Sequence, residues 1–334
     1  MAFSFAWVVL LVGAAANPSE RALTFNNGAV VLSGSFLCPR GASPFAGIVL
    51  LHGSGPQTRE WLLPIARGLV EGGAAALVFD KRGTGKSTGA WISASLEDLA
   101  EDATQAVRTL ASQAEINGKP VGVFAISQSG WYAPLVAMRQ PAVRFLTVVT
   151  GGGATPRDVE WFGYEQALRE RGVSGNDLAK AHQVLRGYFE YLATGKGFTE
   201  LSRALHEGKG SPWGEALDLG RVLPSPEVRG NWAWVATFDP QPSIERLHIP
   251  VLLLFGGRDK QLPSELSLER WKAGLARSEA QATVRVFAEA GHGLTVGDHH
   301  RDGSHPPRYA VGYFETLTAW LREVANQKQA HASD

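Results

Sequence analysis

Short apolar runs alternate with segments of helical periodicity along most of this sequence. Continuous apolar runs, typical of strands buried on both faces, occupy residues 46–51, 74–79, 121–124, 145–150 and 249–255. Helices are predicted in the segments between and after these runs, such as residues 96–110, 132–138 and 309–324, and the first of these places apolar residues three and four positions apart, as amphipathic helices do. Residues 283–287 are the last predicted strand. Strands that alternate with helices pair in parallel through right-handed crossovers. The sequence therefore predicts an α/β fold with a mostly parallel, doubly wound sheet.

Two segments depart from this alternation and set the domain boundaries. Residues 22–39 alternate polar and apolar residues around Asn26-Asn27-Gly28, which predicts an antiparallel hairpin at the edge of the sheet. Between residues 157 and 246 the strand-like runs disappear and aromatic-rich helical segments replace them. We therefore predict an α/β core formed by residues 22–156 and 247–326. Residues 157–246 are predicted to be a helical lid insertion, and residues 327–334 a polar tail. A helical second domain with no gating role is the alternative for the insertion.

The composition excludes several classes of partner. The 334 residues are 44% hydrophobic, enough for a sizeable core, and carry 32 basic and 32 acidic side chains. Because these charges balance, no net field recruits nucleic acid or an anionic membrane surface, and small neutral or mixed substrates fit better. The single cysteine, Cys38, has no partner for an internal disulfide and no neighbouring ligand for a zinc site.

The first 16 residues have the features of a secretory signal. An apolar run from Phe3 to Val12 precedes Gly13-Ala14-Ala15-Ala16, whose small residues suit cleavage before Asn17. The run is too short for a membrane-spanning helix, which needs about 20 apolar residues, and no Lys or Arg precedes it. We expect a periplasmic or secreted protein with no stable membrane insertion after cleavage. A cytoplasmic location follows if the signal interpretation is wrong.

Residues 121–134 place a serine at a sharp turn between a strand and a helix. A β-branched and aromatic run narrows to small residues around Ser127, and residues that can start a helix follow. A serine at such a strained turn needs small residues two positions before and after it, because backbone and helix pass close on either side. Those positions hold Ala125 and Ser129 where G-x-S-x-G would have glycine. Ser129 is the poorer candidate nucleophile, since the bulky Trp131 lies two positions after it.

An acid and a histidine follow Ser127 at later strand ends. A serine hydroxyl needs a base to remove its proton, and an imidazole needs an acid to fix its tautomer. Asp259 ends a buried strand through Gly256-Gly257, and His292 lies between two glycines after the last predicted strand. The order is nucleophile, acid, base. Asp239 is the reserve acid, although its setting before a proline is more typical of a turn or cap.

Acyl transfer also needs hydrogen-bond donors where the carbonyl oxygen becomes negative. The backbone N–H of Gln128, directly after the candidate nucleophile, is one expected donor. The second donor should be a backbone N–H of the glycine-rich loop His52-Gly53-Ser54-Gly55, which follows an earlier strand. The N–H of Ser54 is favoured, and that of Gly53 is the alternative.

Two other motifs have simpler interpretations. Gly83-Thr84-Gly85-Lys86-Ser87-Thr88 ends like a phosphate-binding loop, but Asp80 stands where the first glycine of that pattern belongs. Residues 299–305 contain three histidines without a helical or strand spacing that would aim their rings at one metal ion, so a solvated loop is favoured.

Five motifs together give a resemblance to a known family. The motifs are Leu51-His52-Gly53-Ser54-Gly55-Pro56, Phe79-Asp80-Lys81-Arg82-Gly83-Thr84-Gly85-Lys86-Ser87, Ala125-Ile126-Ser127-Gln128-Ser129-Gly130, Gly256-Gly257-Arg258-Asp259 and Gly291-His292-Gly293. With them the sequence resembles the α/β-hydrolase superfamily, near its lid-bearing esterase and serine-aminopeptidase-like branch. The resemblance covers about residues 25 to 324. The resemblance implies that Ser127 is the nucleophile, Asp259 the acid and His292 the base. It also makes Asp80–Ser87 a structural loop. The turn around Ser127, called the elbow below, lacks glycine at positions 125 and 129 and so departs from the family pattern.

The expected activity is hydrolysis of small carboxylic esters through an acyl-enzyme, with no metal or organic cofactor. An aminopeptidase and a thioesterase on the same triad are the alternatives, and a non-catalytic binding protein on this fold is a more distant one. A peptidase needs an acidic lid residue to meet the substrate amine, for which Glu160, Glu165 and Glu170 are available. The sequence leaves the oligomeric state open.

Overall fold

One eight-stranded sheet forms the centre of the molecule. The computed structural model describes residues 18–219, 223–297 and 307–326. The strands are β1 (Ser19–Asn27), β2 (Val30–Cys38), β3 (Gly47–Leu51), β4 (Ala75–Phe79), β5 (Val121–Ile126), β6 (Val143–Val149), β7 (Val251–Gly256) and β8 (Ala282–Phe287). Their order in the sheet is β1-β2-β4-β3-β5-β6-β7-β8.

The sheet is parallel except at one edge. Strands β3 to β8 pair only in parallel with one another. The hairpin of β1 and β2 turns at Gly28, whose φ of 57° suits glycine, and β2 pairs antiparallel with β4. The predicted α/β fold, with its mostly parallel sheet and N-terminal antiparallel hairpin, is confirmed.

Helices cover both faces of this sheet. The helices of the described residues are α1 (Leu63–Glu71), α2 (Leu96–Ala111), α3 (Ser129–Arg139), α4 (Pro156–Glu170), α5 (Gly175–Thr194), α6 (Phe198–Glu207), α7 (Pro212–Leu217), α8 (Trp234–Thr237), α9 (Gln241–Ile244), α10 (Ser264–Ser278) and α11 (Tyr313–Asn326). Helices α2, α3 and α10 pack on one face, and α1 and α11 pack on the other. Because the central strands are buried on both faces, their sequences are continuously apolar.

Helices α4 to α9 lie between β6 and β7, and we call residues 156–244 the helical insert. Its helices bury an apolar cluster of their own, built chiefly by α5 with Leu185, Phe189 and Leu192. Trp234 also packs against the apolar cluster of the core, so the insert is joined to the sheet layer through an aromatic contact.

Several element boundaries differ from those that periodicity predicts. Helix α3 begins at Ser129, three residues earlier than predicted, because it follows the turn at Ser127 directly. Helix α11 begins at Tyr313 and not at Tyr309, since Tyr309 forms an isolated β-bridge with Thr295 and Gly312 has a positive φ. The predicted signal, the histidine-containing loop 299–305 and the polar tail lie outside the described residues. In the described ranges no helix is long and apolar enough to cross a membrane.

Candidate active site

Ser127 occupies a strained turn between β5 and α3. Its φ is 54°, a left-handed conformation that a residue with a side chain rarely adopts. The backbone N–H of Ser127 donates to Val149 O at 3.0 Å, which ties the turn to the end of β6. The turn therefore forms with Ala125 and Ser129 in the places where glycine is usual.

The hydroxyl of Ser129 explains how a residue larger than glycine is accommodated there. Ser129 is fully buried, and its Oγ accepts from the Ile126 N–H at 2.7 Å. The same Oγ lies 2.9 Å from Ile126 O and 3.2 Å from Leu51 O, either of which can accept its proton. Ser129 thus satisfies backbone groups that the sharp turn leaves unpaired.

Two glycines, Gly130 and Gly151, make close backbone contacts at the turn. A Cβ added at Gly151 would lie 2.5 Å from Ser127 O, and a Cβ added at Gly130 would lie 2.6 Å from the backbone of Gly151 and Gly152. The loop after β6 therefore packs directly on the turn that presents Ser127. In the sequence, Gly151-Gly152-Gly153 directly follow the predicted strand of residues 145–150, and this position does not indicate a contact with Ser127.

His292 and Asp259 meet at the ends of β8 and β7. The Nδ1 of His292 lies 2.8 Å from Asp259 Oδ2, and the Asp259 side chain is wholly buried. The other carboxylate oxygen, Oδ1, accepts from the backbone N–H groups of Gln261 and Leu262 at 2.8 and 3.0 Å. These bonds fix the carboxylate, which in turn orients the imidazole and leaves Nε2 available.

The loop that carries His292 is joined to the strand end beside Ser127. The Gly293 N–H donates to Thr150 Oγ1 at 3.1 Å. Thr150 follows β6 with a φ of 42°, directly after the residue whose carbonyl binds the Ser127 N–H. A Cβ added at Gly293 would lie 3.7 Å from Ile126 Cδ1. The residues next to His292 and Ser127 in the chain are thus in contact.

The loop after β3 lies against Ser127. A Cβ added at Gly53 would lie 3.4 Å from Ser127 Cβ. The Gly53 N–H donates to Gln57 Oε1 at 3.0 Å, whereas the Ser54 N–H makes no hydrogen bond within the part of the chain that the structure describes. Between the two predicted donors, Ser54 is therefore the one with an available N–H.

His52 holds the start of this loop. Its ring is buried, and Nε2 bonds to Phe79 O at the end of β4, which requires the proton on Nε2. Burial lowers the pKa of His52 to about 4, with the nearby Lys81 contributing. His52 is therefore neutral at physiological pH and acts as a link between β3 and β4.

Lys81 makes contacts that sequence analysis did not anticipate. Its side chain is buried, and Nζ donates to Gly53 O and to Gln128 Oε1, each at 2.8 Å. Burial lowers the pKa of Lys81 to about 7, while the charge of Asp102 opposes that change. The only available signal was the position of Lys81 directly after a strand end, in a motif assigned a structural role.

The alternative sites are arranged differently. Asp239, the reserve acid, pairs with Arg270 at 2.6 Å and accepts from the Gln241 N–H, as a capping residue does. The Gly83–Thr88 loop closes on itself through Gly83 N–H to Thr88 O. In that loop the Lys86 N–H donates to Asp80 Oδ2, so this backbone group is not available to a phosphate. Within the described ranges, no three His, Cys, Asp or Glu side chains are grouped to hold a metal ion.

A serine at a strained strand-to-helix turn, with an Asp-His pair after two later strands of the same parallel sheet, is the arrangement of an α/β-hydrolase. The model of the alpha/beta hydrolase family matches residues 48–309, which include all five motifs of the sequence resemblance. The chain belongs to the α/β-hydrolase family. The membership of a particular branch rests on the sequence resemblance alone.

Among curated proteins, the chain is similar to Esterase EstD of Thermotoga maritima. The two are 24% identical over 294 residues, which cover 84% of this chain and 61% of EstD. Among solved structures, DcsB in complex with its substrate analogue has a TM-score of 0.59 at 18% identity, with 92% of this chain and 100% of DcsB covered. The Pyrococcus furiosus esterase Pf2001 has a TM-score of 0.54 at 16% identity, with 92% of this chain and 89% of the esterase covered. At these identities the two structures are similar in fold alone.

Proposed function

We propose that this protein is a serine hydrolase that cleaves small carboxylic esters through an acyl-enzyme. The observation that carries the proposal is the hydrogen bond between His292 Nδ1 and the buried Asp259 carboxylate. The loop of His292 is joined to the strand end beside the strained turn of Ser127. The similarity to EstD, which is named as an esterase, favours esters as the substrate class.

In the proposed reaction, Ser127 Oγ attacks the ester carbonyl carbon while His292 Nε2 accepts the hydroxyl proton. Asp259 accepts the hydrogen bond from Nδ1–H and stabilises the imidazolium that forms. The backbone N–H groups of Gln128 and Ser54 donate to the carbonyl oxygen as it becomes negative. His292 then gives its proton to the leaving alkoxide, which departs as an alcohol.

The second half of the reaction reverses these roles. His292 removes a proton from water, which attacks the acyl carbon of Ser127, and the imidazolium returns that proton to Ser127 Oγ when the acid leaves. Every proton is accounted for by Ser127, His292, water and the leaving groups.

Replacement of the nucleophile tests the proposal. Ser127→Ala should lower kcat for a short-chain chromogenic ester by about 10⁶-fold and abolish labelling by an active-site phosphonate. The matched control is Ser112→Ala, which removes an exposed hydroxyl at the end of α2 and should leave both unchanged. Esterase turnover retained by the Ser127 variant would refute the assignment, and a folded wild-type protein that phosphonate does not label would favour a binding role.

Glu160 bears on the aminopeptidase alternative. Burial raises the pKa of this carboxyl, and a hydrogen bond with Tyr164 partly offsets the effect. Because this shift disfavours the charged carboxylate that would meet a substrate ammonium group, it argues against Glu160 in that role. Assays of an ester, a thioester and an aminoacyl amide of the same acyl group distinguish the three activities.

The proposal includes a place of action. A signal at residues 1–16 would deliver the enzyme to the periplasm or the medium, and residues 157–246 would act as a lid over the active site. The mass of the exported protein tests the first statement, because cleavage after Ala16 leaves Asn17 at the N-terminus.

A further inference from the structure

The Lys81 side chain contacts both segments that carry the proposed oxyanion donors. It lies 4% exposed at the end of β4, where Nζ donates to Gly53 O and Gln128 Oε1. Gly53 is 28 residues before Lys81 in the chain and Gln128 is 47 residues after it. One ammonium group thus joins the loop after β3 to the turn after β5.

The bond to Gly53 O sets the direction of the Ser54 N–H. These two groups belong to the same peptide unit, in which the C=O and the N–H of a planar trans bond point in opposite directions. Lys81 holds the oxygen, so the N–H of Ser54 is turned away from Lys81. The preceding N–H, that of Gly53, is already bound to Gln57, and Gly53 lies against Ser127.

The bond to Gln128 acts on the second donor. Gln128 directly follows Ser127, and its side chain is 5% exposed and held by Lys81. Fixing this side chain restricts the backbone rotation that would move the Gln128 N–H relative to Ser127 Oγ.

Attachment of the surrounding loop does not require the Lys81 ammonium. The backbone N–H of Lys81 donates to Gln57 O at 3.1 Å. Thr84 Oγ1 lies 2.9 Å from Gln57 O and 2.8 Å from Lys81 O, either of which can accept its proton. A buried ammonium carries a large desolvation cost, which an apolar side chain of similar length would avoid. The two hydrogen bonds that Nζ donates to Gly53 O and Gln128 Oε1 offset part of that cost.

We propose that Lys81 is a positioning residue that holds the Ser54 and Gln128 N–H groups in the geometry of an oxyanion hole. This inference rests on the proposed serine-hydrolase function. Lys81 does not touch the substrate, and it acts through the two peptide units that do.

The test compares Lys81→Met with Lys86→Met, which removes an exposed lysine from the same loop. Each is assayed with a short-chain p-nitrophenyl ester and with a trifluoromethyl ketone, which adds the serine hydroxyl to form an anionic tetrahedral adduct. Because a misplacement of about 1 Å costs about 10²-fold in rate, Lys81→Met should lower kcat about 10²-fold and leave KM nearly unchanged. The ketone inhibition constant should rise by the factor that kcat/KM loses. Lys86→Met should match wild type.

A second variant covers the case in which Lys81→Met does not fold. Gln128→Leu keeps the backbone N–H and the bond from Lys81 to Gly53, but removes the other acceptor. It should weaken ketone binding with KM nearly unchanged, and by less than Lys81→Met. Ketone affinity that stays at the wild-type value in a folded Lys81→Met or Gln128→Leu protein would overturn the positioning role. A folded wild-type protein that neither turns over esters nor reacts with phosphonate would instead overturn the proposed function, and the role of Lys81 with it.

Discussion

Arg59 and Asp80 form a buried ion pair beside the proposed active site. The Arg59 Nη2 and Nε atoms donate to the two carboxylate oxygens of Asp80 at 2.8 and 3.0 Å, and both side chains are buried. Asp80 also accepts from the backbone N–H groups of Arg59 and Lys86. Burial raises the pKa of Asp80, but the hydrogen bonds and charge of Arg59 outweigh it and lower the pKa to about 2. Asp80 thus fixes the loop in which Lys81 begins.

Asp80→Asn should lower the free energy of unfolding at neutral pH by about 3–5 kcal/mol, because it leaves the Arg59 charge buried without a partner. The folded pKa of Asp80 lies below the unfolded value of 3.8. Its ionisation therefore contributes stability that is complete above about pH 4 and is lost as the pH falls towards 2. Urea unfolding at neutral pH and near pH 3 measures both effects.

The exposed Glu269 provides the control for this prediction. Glu269→Gln should change the free energy of unfolding by less than about 0.5 kcal/mol. An Asp80→Asn protein as stable as this control at neutral pH would show that the ion pair does not stabilise the loop.

At the scale of elements, the helical insert rests on the core through tryptophans. Trp232 Nε1 donates to Ile92 O at 2.6 Å, and its ring meets the ring of Trp91 edge-on with centroids 6.1 Å apart. Trp232 and Trp234 are stacked with centroids 6.4 Å apart, and Trp234 contacts Trp131 in α3 at 5.7 Å. These four rings form a continuous contact from the loop before α2 to the helix that follows Ser127.

Trp232→Ala should loosen this contact without unfolding the core. We expect faster amide hydrogen exchange over residues 229–237 and 91–95, because the indole hydrogen bond and two ring contacts are lost. If the insert acts as a lid, KM for longer acyl esters should rise more than kcat falls. The control is Trp61→Ala, since Trp61 lies 63% exposed on the core. Unchanged exchange over both segments in the Trp232 variant would contradict the proposed anchoring.

The strands and the candidate site residues could be predicted because they depend on local pattern. Buried strands are continuous apolar runs, and both Ser127 and Asp259 follow such a run, where parallel strands present their loops. His292 follows the last predicted strand of the same sheet. Contacts between loops leave no such pattern. The pairing of Lys81 with Gly53 and Gln128 depends on which strands are neighbours, and β4 lies beside β3 in an order that periodicity does not reveal.

The same limit applies to close backbone contacts. Gly151 appeared as one of three glycines at a strand end, and its contact with Ser127 O requires the register of β5 against β6. Likewise, the sequence shows only that Ser129 has a small side chain. The hydrogen bonds that its hydroxyl makes at the turn depend on the folded backbone.

At the scale of the whole molecule, the buried apolar residues form separate clusters. Two of them lie on opposite faces of the sheet, and the third is internal to the helical insert. Most buried apolar side chains of the insert pack against one another, and four of its residues pack against the core cluster: Val159, Trp234, Phe238 and Ile244. We therefore expect the insert to open in a subglobal step at a lower free energy than the sheet.

Two buried leucines test this expectation. Leu192→Ala in α5 should lower the free energy of exchange-competent opening in the insert by about 2–5 kcal/mol and leave β5 unchanged. Leu253→Ala in β7 should destabilise both the insert and β5, since the insert is attached to the sheet at each end. Native-state hydrogen exchange at increasing denaturant resolves the two steps. Equal losses in β5 and α5 for Leu192→Ala would mean that the molecule opens as one cooperative unit.

The glycine contacts around Ser127 bear on how this enzyme could change its specificity over evolution. Any side chain at Gly130 or Gly151 would collide with backbone, which cannot be moved without displacing Ser127. In a library of random variants, these two positions should therefore return almost only the parental residue. Adaptive change in substrate range has to arise in surfaces that can vary independently of the elbow, and the helical insert is the largest of them.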